Sequence, residues 1–226
     1  VVEAYLNQSV MDSIKCWQPE QGTPQGAVLS PLLSNIYLDP LDQEMSDGDE
    51  IMIRYADDFV ILCKSEEQAR KSLERVQEWT ERNGLTLHPV KTHIVDATQK
   101  GGFDFLGYHF ERGYRWPRKK SMNKVKDAIR QKTKRANGHS MEKIITEINY
   151  TLKGWFEYFK HSHKTTFKPM DAWIRMRLRS ILRKRNGGKG RGRGSDHQRW
   201  PNVYFAELGL FSLAAAHAAV CQSSKR

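Results

Sequence analysis

The stretch from Ile51 to Cys63 limits the fold most. Ile51 to Tyr55 and Phe59 to Cys63 are two β-prone runs separated only by Ala56, Asp57 and Asp58. This spacing predicts a hairpin with a tight acidic tip. Two adjacent carboxylates repel, and a turn does not need both. A divalent cation gives them a reason: Mg²⁺ takes carboxylate oxygens and keeps positions open for phosphate. An Asp-Asp pair is also an ordinary turn composition, so the tip alone does not decide its role.

The elements around the hairpin follow from pattern. Residues 1–16 are weakly periodic and predict a helix, and residues 17–27 read as a Gly/Pro/Gln-rich loop. Ser30 and Pro31 open a helix that carries Leu32, Leu33, Ile36, Tyr37 and Leu41 at helical spacing. Ser65 caps a helix that runs to about Arg82 and stops at Gly84. Residues 85–87 and 92–95 read as short strands, and 103–110 as a hairpin around Gly107. Residues 122–137, 140–161 and 168–186 read as three helices. In the last of these Met170, Ile174, Leu178 and Ile181 form the apolar face, with Arg175, Arg179 and Arg183 as a basic stripe beside it. Residues 187–195, which include Arg191 and Arg193, read as flexible, basic and low in complexity. The apolar and aromatic residues from Trp200 to Ala219 predict a segment that packs back on the helices.

Charge divides the chain. The formal net charge of +11 is the balance of −10 over residues 1–111 and +21 over residues 112–226. The basic half reads as a polyanion-binding surface, for nucleic acid before anionic membrane. Cys16, Cys63 and Cys221 are far apart with no CxxC pair, which argues against a structural zinc site or disulfide framework. No apolar run approaches the length of a membrane span.

Four segments in order then carry a resemblance. Tyr55-Ala56-Asp57-Asp58 resembles the YxDD box of reverse transcriptases. Pro24-Gln25-Gly26 with Ser30 to Asn35 resembles their QGxxxSPLLSN segment. Gly84 to Leu87 with Lys91-Thr92 resembles the GLxLxxxKT block, and Phe105-Leu106-Gly107-Tyr108 the FLG hairpin known as the primer grip. Ile148-Asn149, Leu152 to Phe159, Asp171 to Ile174 and Arg177 to Arg179 resemble the maturase-specific region of group II intron proteins.

The resemblance implies an α+β fold. A partial polymerase palm, an antiparallel sheet with flanking helices, covers residues 1–112, and a helical thumb and RNA-binding domain covers 113–226. It implies RNA-directed DNA polymerisation with two Mg²⁺ ions, Asp57 and Asp58 as metal ligands, and Lys91 as a proton donor to departing pyrophosphate. Gln25, Gly26, Tyr55 and Ala56 border the nucleotide or template, and Phe105 to Tyr108 hold the primer. The basic stripe with Arg191 and Arg193 would bind RNA. Partners are then intron RNA, an RNA template, a DNA primer or target, and dNTPs, with no membrane. The family's first catalytic Asp and its fingers precede the QG segment, so they are expected outside this chain, which alone would be inactive and prone to self-association. The implied location is a bacterial cytoplasmic ribonucleoprotein, or an organellar one. A splicing cofactor that binds RNA without polymerising is the alternative reading.

Overall fold

The computed structural model describes residues 10–12, 15–17 and 29–223. The chain is α+β and divides into two compact units, Val1–Asp96 and Ala97–Arg226. The division falls ahead of residues 103–117, which therefore belong with the helical unit, whereas the sequence changes character at 112/113.

In the first unit, β1 (Val10–Asp12) pairs antiparallel with β2 (Lys15–Trp17). Where a helix was expected over residues 1–16, residues 10–12 and 15–16 are extended. Val10 and Trp17 are register partners in the ladder, a pairing that weak helical periodicity does not reveal. Helix α1 (Ser30–Ser46) has Pro31 in its first turn. β3 (Ile51–Tyr55) and β4 (Asp58–Leu62) form the expected hairpin, in register from Ile51↔Leu62 to Tyr55↔Asp58. Helix α2 (Glu66–Arg82) begins as predicted, the Ser65 hydroxyl accepting from the amide of Gln68 at 3.2 Å.

The pleat of the β3–β4 hairpin sorts its side chains. Met52, Phe59 and Ile61 pack on a core of Leu38, Leu41, Met45, Val76 and Trp79 from α1 and α2. Ile51, Ile53, Tyr55 and Leu62 point the other way and are exposed. The strands expected at 85–87 and 92–95 do not form. The amide of Leu85 donates to Thr80 and those of Lys91 and Thr92 to His88, so this backbone closes turns rather than a ladder.

In the second unit, β5 (Phe103–Phe105), β6 (Tyr108–Glu111) and β7 (Tyr114–Pro117) form an antiparallel meander. Helices α3 (Lys119–Lys132), α4 (Met141–Phe159) and α5 (Phe167–Arg185) follow, then the short α6 (Asp196–Arg199) and α7 (Asn202–Glu207), and α8 (Leu213–Ser223). Ile129, Ile144, Ile148, Leu152, Ile174 and Leu178 are fully buried in one core, which Trp200, Phe205 and Leu213 join. Each such side chain contributes about 1.5–3 kcal/mol by leaving water. The C-terminal segment packs back as its composition predicts.

Candidate functional site

Ala56 and Asp57 make the two-residue turn between β3 and β4, and Asp58 is the first residue of β4, opposite Tyr55. Ala56 has φ +55°, the sign taken by the first residue of a II′ hairpin turn, where glycine is favoured. An alanine held there is a strained position that its surroundings must enforce. Asp57 and Asp58 are both exposed, and neither forms an ion pair among the described residues. Tyr55 is 68 % exposed beside them.

What holds this turn is Arg54. Arg54 lies on the helix-facing side of β3 with its side chain 10 % exposed. Its Nε donates to Asp42 Oδ1 at 2.8 Å, a second guanidinium nitrogen bonds Asp42 Oδ2, and a third donates to Asn35 Oδ1 and the Ala56 carbonyl, both at 2.9 Å. The hydrogen bonds to Asp42 hold the Arg54 pKa above its ordinary value. Arg54 is thus committed to α1 and to the turn's backbone, and the two carboxylates at the tip stay uncompensated among the described residues. A cation at an interior register of an apolar strand was the available signal.

The Phe105–Tyr108 segment is a second tight turn. Leu106 (φ +46°) and Gly107 (φ +80°) both take the left-handed sign of a type I′ turn. The Gly107 carbonyl accepts from the Arg118 amide at 2.9 Å and the Ser121 hydroxyl at 3.1 Å, and the Leu106 carbonyl from the Tyr158 hydroxyl at 2.7 Å. The Tyr108 hydroxyl in turn donates to the Tyr158 carbonyl, and the two rings stack 5.9 Å apart. Burial pushes the Tyr108 phenol up. Phe105 is half-buried on β5. The turn is therefore fixed rigidly to α3 and α4.

The remaining residues separate. Gln25 and Gly26 lie outside the described residues. Lys91 is exposed in the turn at 89–91. Arg179 is 2 % exposed: it donates to the Trp200 carbonyl at 2.9 Å and Asn202 Oδ1 at 2.7 Å, and stacks over Phe205. Arg183 donates to the Lys189 carbonyl at 2.8 Å and pairs with Asp196 at 2.6 Å. These two arginines of the expected RNA-facing stripe bind the chain's own C-terminal segment instead, while Arg175 is half-exposed and forms no ion pair among the described residues. The glycine-rich segment lies on α5. Gly192 is buried, its amide donating to Ser180 Oγ at 3.2 Å, and a Cβ there would sit 2.5 Å from that of Arg179. Arg191 and Arg193 are exposed on this segment.

Two adjacent, exposed carboxylates with no competing cation among the described residues are hard oxygen donors, and they fit a magnesium ion as part of its shell. No third His, Cys, Asp or Glu joins them among the described residues. The other positions of an octahedral ion would go to phosphate oxygens, water or further carboxylates.

Comparison with known proteins identifies the family. Residues 3–110 match the family model for reverse transcriptase (RNA-dependent DNA polymerase), and residues 122–200 match that for the group II intron maturase-specific domain. The chain is also similar to the retrovirus-related Pol polyprotein from type-1 retrotransposable element R2 of Nasonia vitripennis. The two are 28% identical over 92 residues, which is 37% of this chain and 9% of that polyprotein. With a polymerase segment that carries the acidic hairpin followed by a maturase-specific segment, the chain belongs to the reverse transcriptases of the group II intron type.

Proposed function

We propose that the protein extends a DNA 3′ end on an RNA template by addition of dNTPs, and that its basic second unit binds intron RNA to aid splicing and retrohoming. The observation that carries this reading is the uncompensated Asp57–Asp58 pair on a turn held by Arg54, within a reverse transcriptase match. Asp57 and Asp58 would hold Mg²⁺, with two ions expected in the complete enzyme. Bound Mg²⁺ lowers the pKa of an attacking hydroxyl and offsets charge on the triphosphate. Gln25, Gly26, Tyr55 and Ala56 would border the nucleotide or template. Lys91 gives a proton to the leaving pyrophosphate, and Phe105, Leu106, Gly107 and Tyr108 position the primer. Arg175, Arg191 and Arg193 contribute to the RNA surface. The setting is a cytoplasmic ribonucleoprotein, and no helix among the described residues is long and apolar enough to cross a membrane.

The net charge of +21 over residues 112–226 favours a second reading, an RNA-binding splicing cofactor that does not polymerise. Primer extension by the full-length protein, with RNA template, DNA primer, dNTPs and Mg²⁺, separates the two. Template-dependent incorporation that chelation of Mg²⁺ abolishes supports the polymerase. Tight RNA binding without incorporation supports the cofactor.

A further inference from the structure

We propose that Lys126, Arg130 and Arg177, gathered around Trp173 where α3 and α5 meet, form a seat for one phosphodiester of bound RNA. Lys126 Nζ lies 5.9 Å from the centre of the indole ring, the Arg130 guanidinium carbon 5.6 Å and that of Arg177 5.4 Å. Trp173 and Lys126 are half-exposed and Arg130 is exposed, so the cluster opens to solvent.

Arg177 is the fixed member. It donates to Thr133 Oγ1 at 2.6 Å, the Thr133 carbonyl at 3.0 Å and the Arg130 carbonyl at 3.4 Å. These groups end α3, where a cation is favourable. Burial first, then the charges of Arg130 and Arg135, hold the Arg177 pKa below its ordinary value. The indole face attracts cations but does not neutralise three of them. Carboxylates do not make up the difference. Asp127 is the one on α3 and pairs with Arg130, while Asp171, the one on α5, is turned toward α8. The site therefore keeps net positive charge with guanidinium donors already in place. A phosphate completes it, because its oxygens accept paired hydrogen bonds from a guanidinium fork.

This inference rests on the RNA-binding part of the proposed function, and the test separates the two. Binding of a labelled stem-loop RNA to the full-length protein is measured against salt concentration for the wild type, a Lys126→Gln/Arg130→Gln double variant and Asp127→Asn. Loss of that phosphate contact should weaken binding about five- to eightfold at 0.1 M salt and flatten the log–log slope by about 0.7–0.9. Asp127→Asn should tighten binding several-fold, since it frees Arg130. In parallel, light-induced cross-links from thiouridine-labelled RNA should map to α3 and α5 peptides. Wild-type binding with an unchanged slope in the double variant, or cross-links only elsewhere, overturns the seat and leaves RNA binding standing. Failure of the wild type to bind RNA overturns both. A double variant that loses affinity for phosphatidylserine vesicles but not for RNA also overturns the seat.

Discussion

Arg54 clasps Asp42 through two of its nitrogens while donating to the carbonyl of Ala56 at 2.9 Å. One side chain thus ties helix α1 to the turn that presents Asp57. Truncating Asp42 would leave a guanidinium that is 10 % exposed without its counter-charge. Losing one partner of a buried pair costs about 3–5 kcal/mol. Asp42 is itself 36 % exposed, and solvent screening reduces the expected loss for Asp42→Ala to about 2 kcal/mol. Denaturant midpoints at unchanged m-value check this. Arg54→Lys keeps the charge but loses the fork. It should lower the rate of nucleotide incorporation while leaving RNA affinity unchanged.

Asp171 is 5 % exposed and caps α8 from α5. Its carboxylate accepts from the Leu213 amide at 3.0 Å, the Ala214 amide at 3.1 Å and the Ser212 hydroxyl at 2.9 Å. Asp171→Ala should cost about 2–3 kcal/mol, the sum of a lost cap and orphaned buried donors. Hydrogen exchange should accelerate first at the Leu213 and Ala214 amides. Wild-type protection there would refute the capping role.

Arg175 and Arg179 lie on one helix a turn apart, and substitution should separate their roles. Arg179→Ala removes a buried guanidinium that holds Trp200 and Asn202, and should destabilise the protein by about 2–4 kcal/mol with no change in the salt slope of RNA binding. Arg175→Gln should leave stability within about 0.5 kcal/mol and flatten the slope by about 0.7–0.9.

Asp196 gives the second unit an acid-sensitive contact. The Arg193 amide and then the Arg183 guanidinium hold its pKa below the ordinary value. A depressed carboxylate stabilises the fold fully above its unfolded pKa of about 3.9, and that stabilisation fades as pH falls from there through the folded value. Asp196→Asn should therefore flatten the dependence of thermal stability on pH below about 4, and leave hydrogen exchange across residues 187–200 nearly independent of pH after correction for intrinsic rates.

How much of this was legible in sequence depended on how local each cause was. The β3–β4 hairpin and the Ser65 cap could be read because turn and strands, or cap and helix, are contiguous. The family motifs marked Asp57, Asp58 and the Leu106–Gly107 turn, and both turns form. Arg179 could not be told from Arg175, because both flank the apolar face of α5 and what buries Arg179 arrives with Trp200 and Phe205. Arg54 escaped notice for the same reason, since Asp42 and Asn35 come from α1. β7 carries a proline inside a basic stretch, a composition that argues against a strand until its edge position in the meander is known. Residues 187–195 looked flexible because they are rich in glycine. Gly192 instead permits close approach to α5.

If Asp57 holds the catalytic metal, its carboxamide variant separates polymerisation from RNA binding. Primer extension and RNA affinity are compared for wild type and Asp57→Asn in the full-length protein, at equal thermal stability. Incorporation should fall at least about a hundredfold, because the carboxylate that holds the charge-stabilising ions is gone, while the Kd for RNA stays within a few-fold. Near-normal cDNA synthesis by Asp57→Asn would contradict it.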